Sequence, residues 1–305
     1  MIKNICEQSK QFDDKRHEEY QYINTIKSIM EDGSLETGRN GNTLSVFGTV
    51  MHFSLQDNVV PFMTTKKLAW KTCLKELLWF IKGSTDNNEL VKQNVHIWTD
   101  NSSKEALEQR NINFQKEGDL GPIYGHQWRH FNAKYEGCDV DYTDKGKDQL
   151  QYIIDNLKDP KTRNSRRLVL SSWNPTQLDE MALPPCHIVC QFYVTGGNKL
   201  SCALYQRSGD IGLGVPFNIA SYSMLTILIA KHCDLVPLEF IHTIGCAHIY
   251  DDHIEPLKEH FTRIPYPFPT LKLLNKYDNI GDYGLEDFEL KNYKYHDSIK
   301  MQMRT

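Results

Sequence analysis

The run 219–233 constrains the fold of this chain more than any other stretch, because its side chains are apolar on nearly every side. A helix without a polar face is buried among other elements, so the run predicts a central, buried helix. Just before it, two runs rich in β-forming residues, 188–194 and 200–205, enclose the turn Thr195-Gly196-Gly197-Asn198. That pattern is typical of a β-hairpin. We therefore expect a hairpin that leads into the buried helix.

Apolar spacing predicts further elements on both sides of this stretch. Stripes over 22–30 and 70–81 indicate two helices, which Gly33 and Gly83 end. The same reasoning predicts a strand over 44–55, a helix over 147–157, strands over 168–173 and 241–250, and a helix with polar strands after residue 256.

Composition excludes several classes of protein. The 305 residues carry a formal net charge of −4, which argues against a general nucleic-acid surface. We therefore expect no obligate nucleic-acid partner. No run has the length of a membrane helix, so we expect no membrane partner either. The eight cysteines lack a paired spacing, which favours a reduced, cytoplasmic setting. Residues 1–18 are polar and expected to be disordered, and 19–305 is expected to form a single domain.

Cys186 is the candidate nucleophile. It follows Pro184 and Pro185 at the head of the hairpin, and Arg207 lies at the hairpin's exit. A cation near a cysteine stabilises the reactive thiolate. The alternative is a small buried hydrophobic residue, which is the commoner fate of a lone cysteine in an apolar strand.

Glu76 is the candidate carboxyl group. Its neighbours at helical spacing are Cys73, Trp79 and Phe80, so we expect partial desolvation and a raised pKa. The alternative places Glu76 at the edge of the apolar face, where it reaches water.

Two other patterns are rejected as sites. The glycine-rich loop 118–125 lacks the spacing and the Lys-Ser/Thr of a phosphate loop. His248, His253 and His260 lie beside Asp251 and Asp252, but their spacings fit no familiar ligand pair, so we expect no metal.

Three motifs carry a family resemblance: Pro-Pro-Cys-His, Gln-Arg-Ser-Gly-Asp and Gly-Val-Pro-Phe-Asn-Ile-Ala-Ser-Tyr, in this order. They closely resemble the thymidylate synthase family, and the likeness extends from Tyr20 to Met303. The resemblance implies an α/β fold with a mixed sheet packed against helices, one sheet face serving for homodimerisation. It also implies reductive methylation of deoxyuridylate to thymidylate, with methylenetetrahydrofolate as the donor of both carbon and hydride. The alternatives are a hydroxymethylase, in which water replaces the hydride, and a catalytically silent nucleotide-binding relative.

The resemblance also assigns roles. Cys186 would add to C6 of the pyrimidine, Glu76 would steer protons at O4 through water, and Tyr124 would lie near the departing C5 proton. The residues implied in deoxyuridylate binding are Arg39, Arg166, Arg167, Cys186, His187, Gln206, Arg207, Ser208, Gly209, Asp210, Asn218, His248, Ile249 and Tyr250. Those implied in folate binding are Lys66, Ile97, Trp98, Asn101, Asp210, Phe217 and Arg304.

Asn218 and the pair Arg166-Arg167 carry specific expectations. An amide at 218 can donate to O4 of uracil and accept from N3–H, whereas cytosine presents the reversed pattern; a helix N-cap is the compatible alternative. Adjacent strand residues point to opposite faces, so the arginine pair is expected at a loop end or as solvated charge. By resemblance, these arginines reach the partner's nucleotide phosphate across a dimer interface.

The segments 102–117 and 133–148 resemble surface insertions of the longer, eukaryote-type members of the family. The chain departs from the family pattern in three places: the loop around Arg39 is one residue short, Cys246 replaces an acid or amide, and the C-terminus differs. The family's usual Ala-Val ending folds over the bound ligands, whereas this chain has Arg304-Thr305. Closing such a lid disfavours a buried guanidinium unless it finds an anion, for which the folate's glutamate tail and the terminal carboxylate are the two candidates.

Overall fold

The computed structural model describes residues 17–38, 40–112 and 116–304. Its main sheet has six strands, β1 to β6, which span Ser34–Gly38, Gly41–Ser54, Val169–Ser171, His187–Thr195, Lys199–Asp210 and Val236–Tyr250. Their order in the sheet is β1-β2-β6-β5-β4-β3. Strands β5 and β6 run parallel, and the other neighbours are antiparallel. The predicted α/β class with a mixed sheet is confirmed.

Helices cover one face of this sheet, and a small second sheet has two strands. The helices α1 to α8 are Tyr20–Asp32, Trp70–Ile81, Asn87–Val91, Lys104–Gln109, Tyr124–His130, Gln149–Lys158, Gly214–His232 and Ile254–Leu257. Strands β7 and β8 are Thr270–Leu273 and Phe288–Lys291, and short 3-10 turns lie at Gln56–Asn58, Leu178–Glu180, Asp251–His253, Lys258–Thr262, Ile280–Asp282 and Leu285–Asp287. Among the described helices, none is both long and apolar enough to cross a bilayer.

The predicted central helix is confirmed as α7, which is buried along almost its whole length and packs on β5, β6 and α2. It begins earlier than the apolar run suggests. Pro216 lies in its first turn, where the missing N–H would have no helical partner. The helix therefore starts directly beyond the hairpin's exit.

The predicted hairpin is confirmed as β4 and β5, but β5 continues to Asp210. The alternation of buried side chains slips by one residue along β6, where Phe240, His242 and Ile244 are buried and then Ala247 and Ile249. A similar slip separates the buried Gln206 and Gly209 in the adjacent β5. Strict alternation would have placed the polar residues Asp210 and His248 in the core, whereas both are half-buried.

Other differences from the sequence predictions are local. Strand β1 was not predicted; it pairs with β2 as a hairpin whose last pair is Gly38 with Gly41. The prediction for residues 1–16 lies outside the described residues. Two polar segments contain structure that was not predicted: 102–112 contains α4, and 133–148 has a small core of Ala133, Tyr135 and Tyr142.

Candidate active site

Cys186 lies between the Pro184-Pro185 segment and the start of β4, and it is half-buried. Its backbone N–H donates to the Tyr124 hydroxyl at 2.8 Å, and its carbonyl accepts from the Arg207 N–H at 2.8 Å. The Arg207 guanidinium lies 3.8 Å from the Cys186 sulfur. A fixed cation at this distance stabilises a thiolate relative to a thiol.

The position of the Arg207 guanidinium is set by backbone carbonyls rather than by an acidic side chain. Its Nε donates to the Pro185 carbonyl at 2.7 Å and its Nη2 to the Pro184 carbonyl at 3.0 Å. The Trp173 ring lies 5.7 Å from the guanidinium carbon, close enough for a cation–π contact. The role of Trp173 could not be predicted, because the sequence shows only its place at the end of a strand.

Tyr124 and His187 form a neutral aromatic wall beside the thiol. Tyr124 begins α5, and its ring stacks on His187 at 4.0 Å. Burial, followed by the nearby Cys186, raises the pKa of Tyr124 well above its usual range, so the phenol keeps its proton. Burial and the neighbouring His242 lower the pKa of His187 to about 3. The neutral imidazole shares a hydrogen bond of 2.7 Å with Tyr222, another residue missed from sequence.

Glu76 lies on the buried face of α2. Burial raises the pKa of its carboxyl group to about 7, opposed by the hydrogen bond from Trp98. The Trp98 indole Nε1 donates to Glu76 Oε1 at 2.7 Å. The desolvation predicted from helical spacing is therefore present, and the alternative of an edge residue in water is wrong. A carboxyl group with this pKa can both hold and release a proton near neutral pH.

A relay of amides fixes the orientation of Asn218. The buried His242 donates from Nε2 to Gln206 Oε1 at 2.8 Å, and Gln206 Nε2 donates to Asn218 Oδ1 at 3.0 Å. The alternative that Asn218 caps a helix is wrong, because α7 begins at Gly214. Its amide therefore has one defined orientation at the entrance to the site.

The parallel pairing of β5 with β6 brings together the residues implied around the nucleotide. Ser208, Gly209 and Asp210 pair with Cys246, Ala247 and His248. Ile249 is different, since its side chain is fully buried in the main core. Tyr250 is half-buried next to His248, with ring centroids 5.3 Å apart.

Asp210 and Lys66 lie together at the edge expected to take the folate. Asp210 Oδ1 accepts from the Gly212 N–H at 2.8 Å, and the Lys66 ammonium donates to the Gly212 carbonyl. Burial lowers the pKa of Lys66 to about 8, opposed first by Asp210 and then by Glu19. Ile97, Asn101 and Phe217 are half-buried, so part of each side chain reaches the surface.

The C-terminal segment is bound by two acidic side chains. Arg304 Nη2 lies 3.1 Å from Asp252 Oδ1 and 3.5 Å from Asp251 Oδ1. Just before it, the Gln302 carbonyl accepts from His253 Nε2 at 2.7 Å. These two carboxylates are neither of the two anions expected from the sequence to neutralise Arg304.

The arginine pair lies far from the thiol of the same chain. Arg166 and Arg167 are exposed in the turn just before β3, which matches the predicted loop end. The Arg166 carbonyl accepts a hydrogen bond from the Gln191 side chain. Gln191 lies five residues after Cys186, so the backbones of these two residues are about 16 Å apart at strand spacing. Arg39 lies outside the described residues.

His248, His253 and His260 each have a hydrogen-bond partner within the protein: the Cys246 carbonyl, the Gln302 carbonyl and the Thr65 hydroxyl. In the described ranges, one group of possible ligands lies close together: Asp86, Cys138 and Asp139, with ligand atoms within 4.8 Å. The Lys116 ammonium already pairs with Asp139.

Comparison with known proteins finds relatives that match nearly the whole of this sequence. A family model described as thymidylate synthase matches residues 20–305. The thymidylate synthase of Homo sapiens is 51% identical over 288 residues, covering 94% of this chain and 91% of the relative. That of equine herpesvirus 2 is also 51% identical over 288 residues, covering 94% of this chain and 98% of the relative.

Some relatives are longer. The bifunctional dihydrofolate reductase-thymidylate synthase of Plasmodium chabaudi is 52% identical over 290 residues, covering 95% of this chain but 49% of the relative. The chain thus spans about half the length of this bifunctional relative and nearly the whole length of the viral one.

Proposed function

The chain belongs to the thymidylate synthase family, and on that premise we infer that it converts deoxyuridylate into thymidylate. Methylenetetrahydrofolate is the cosubstrate, which supplies a one-carbon unit and a hydride and becomes dihydrofolate. The observation that carries this function is the half-buried Cys186 thiol, 3.8 Å from the fixed Arg207 guanidinium and next to the Tyr124 hydroxyl. The relatives named thymidylate synthase do not favour the hydroxymethylase alternative.

Addition of the Cys186 thiolate to C6 makes C5 of uracil nucleophilic. The sulfur–C6 bond forms, and the ring's electron pair moves to O4 as an enolate. C5 then attacks the one-carbon unit of the donor and loses its proton, while the bond from that carbon to the folate nitrogen breaks. The reduced folate transfers a hydride to the new carbon and becomes dihydrofolate as the sulfur–C6 bond breaks. Stabilising the enolate oxygen lowers the barrier to the first step.

Glu76 and Tyr124 serve the proton transfers. The pKa of about 7 lets Glu76 exchange a proton with water near O4 at neutral pH. Tyr124 keeps its phenolic proton and lies one hydrogen bond from the Cys186 backbone. It is thereby placed to order the water or base that receives the C5 proton.

Binding of the nucleotide divides between charge and hydrogen-bond pattern. Arg207 and Ser208, together with Arg39 and the partner's Arg166 and Arg167, suit a phosphate dianion through charge-assisted hydrogen bonds. Asn218 selects uracil, because Gln206 donates to its Oδ1 and so fixes which way its amide faces. His187, Asp210, His248 and Tyr250 complete the nucleotide side, and Lys66, Ile97, Trp98, Asn101, Phe217 and Arg304 the folate side.

The enzyme works as a homodimer through the face of the main sheet that is turned away from the helices. Phe47 is 83% exposed and Val50 is 53% exposed on β2, and Val169, Tyr193 and Tyr205 are exposed on β3, β4 and β5. Several exposed large apolar side chains on one face are typical of a protein contact. The distance between Arg166 and Cys186 within one chain further supports a site completed by the partner.

A reducing, cytoplasmic compartment suits this chemistry. No disulfide joins any two of the described cysteines, and the reaction needs Cys186 as a thiolate. Because disulfides form in oxidising compartments, a reducing compartment keeps the Cys186 thiol available for the reaction.

Incubation with deoxyuridylate and methylenetetrahydrofolate, followed by chromatographic identification of the pyrimidine, tests the proposal. Thymidylate is the expected product, and 5-hydroxymethyldeoxyuridylate would identify a hydroxymethylase. Mass spectrometry with 5-fluorodeoxyuridylate and the folate should place a covalent adduct on Cys186. The matched control is Cys233→Ala, a buried cysteine of α7's C-cap. Full activity in Cys186→Ala, or an adduct on another cysteine, contradicts the assignment.

A further inference from the structure

Asp119 is a buried carboxylate that joins the glycine-rich loop to the segment 133–148. It is 2% exposed. Its Oδ1 accepts from the Gly121 N–H at 2.9 Å and from the Tyr135 hydroxyl at 2.5 Å. Its Oδ2 accepts from the Cys138 N–H at 3.0 Å. These bonds compensate for the desolvation of the charge, so removing a donor leaves the carboxylate under-satisfied.

Tyr135 is itself held in place by the small core of the 133–148 segment. Its ring stacks on Tyr142 at 5.8 Å with an interplanar angle of 11°, and both rings contact the buried His126 edge-on. The Tyr135 hydroxyl also lies 2.7 Å from Thr85 Oγ1. The Tyr135 hydroxyl group thus connects the segment to two residues outside it, Asp119 and Thr85.

The loop that Asp119 holds leads directly into the catalytic groups. Leu120 accepts from the Ala182 N–H at 3.0 Å, which ties the loop to the segment preceding Cys186. The Gly121 carbonyl accepts from the Ile123 N–H at 2.7 Å, and Tyr124 follows as the first residue of α5. A shift of the loop would therefore move Tyr124 relative to Cys186.

We propose that Asp119 and Tyr135 are positioning residues of the reaction, through which the 133–148 segment sets the place of Tyr124 over Cys186. The inference rests on the proposed function and deepens it. The segment that resembles a surface insertion is then a brace for the proton-transfer step. A small misplacement of a reacting group is costly because catalysis depends on near-attack geometry.

The test replaces Tyr135 by phenylalanine, which keeps the ring stack and removes the hydroxyl. The control is Tyr142→Phe. Within the described residues, the hydrogen bonds of the Tyr142 hydroxyl join it to the backbone of Glu136 and Gly137, which belong to the same segment. Two readouts separate the steps. Formation of the covalent adduct with 5-fluorodeoxyuridylate needs attack by Cys186 but no loss of a C5 proton, and the final amount of adduct gives the number of folded, active sites. Release of deuterium from C5-labelled deoxyuridylate needs both the attack by Cys186 and the loss of the label from C5.

Per active site, Tyr135→Phe should slow deuterium release by about tenfold while the rate of adduct formation stays within about twofold of wild type. In a Tyr124→Phe background the Tyr135→Phe change should have less than about a twofold effect, since the two act through one step. Asp119→Asn should slow the same step.

An unchanged rate of deuterium release per active site in Tyr135→Phe would overturn the inference. So would an equal loss in Tyr142→Phe, or a full effect in the Tyr124→Phe background. These outcomes leave the proposed function intact, because wild type still forms thymidylate. A wild-type chain that forms no thymidylate and releases no label would overturn both.

Discussion

Replacing Glu76 by glutamine should stabilise the fold at alkaline pH while it impairs the reaction. Glutamine has nearly the same shape as a protonated glutamic acid and can accept the Trp98 N–H as Glu76 does at 2.7 Å. It carries no charge to desolvate. The variant therefore removes the cost of ionising a buried carboxyl group and leaves the packing of α2 in place.

The magnitude follows from the two pKa values. Burial raises the pKa of Glu76 from 4.5 to about 7. Between these values the folded state holds a proton that the unfolded state has lost, so the stability contributed by this group falls as the pH rises through that window. It is fully present below 4.5 and lost above about 7. The difference corresponds to about 3 kcal/mol.

Urea unfolding of wild type and Glu76→Gln, at one protein concentration and from about pH 4.5 to about pH 8.5, measures this difference. The two proteins should have similar free energies of unfolding at the acidic end. At the alkaline end the variant should be more stable by about 3 kcal/mol. Glu105→Gln, at an exposed position of α4, is the control and should show no such divergence. A wild-type-to-variant difference that is the same at both ends would refute the reasoning.

Three further predictions concern recognition, assembly and the C-terminal segment. Asn218→Asp should admit deoxycytidylate, because a protonated carboxyl group offers the donor and acceptor pattern that cytosine requires; competition between the two nucleotides measures this, and an unchanged preference places base choice elsewhere. Exchange of subunits between Cys186→Ala and Arg166→Ala should restore about a quarter of wild-type activity, since half of randomly formed dimers are hybrids with one intact site of two. No recovery despite proven exchange contradicts a shared site. Arg304→Ala should speed hydrogen exchange over residues 299–303 by about two- to fivefold, because it removes the exposed ion pair with Asp252 at 3.1 Å. Exchange at the wild-type rate would show that the ion pair does not hold the segment.

Elements with strong periodicity could be predicted from sequence. The apolar surroundings of α7 and the helical stripe of α2 leave few alternatives, and the turn Gly196-Gly197 fixes the β4–β5 hairpin. Strand β1 escaped prediction because every one of its residues is exposed, so it has no alternating pattern. Its place depends on pairing with β2, which is a tertiary contact.

The site shows the same division between local and tertiary information. The desolvation of Glu76 follows from neighbours one helical turn away, so sequence could predict it. The partners of Arg304 and Asp119 could not be found in this way, because they lie far along the chain or in segments without periodicity. The slip in alternation at Gly245 could not be predicted either, because it depends on how closely two strands approach. A Cβ at this position would lie 2.8 Å from the Arg207 carbonyl oxygen of the neighbouring strand.

The bond between Trp98 and Glu76 also gives the protein an optical indicator. The Trp98 ring is 8% exposed, so bulk solvent contributes little to its emission. The charge that appears on the carboxyl group at a pKa of about 7 lies at the indole nitrogen. Fluorescence from this indole should therefore change as Glu76 ionises. The chain has five tryptophans, so the difference in emission between wild type and Glu76→Gln across this pH range isolates the change and reports the protonation state of one carboxyl group without a label.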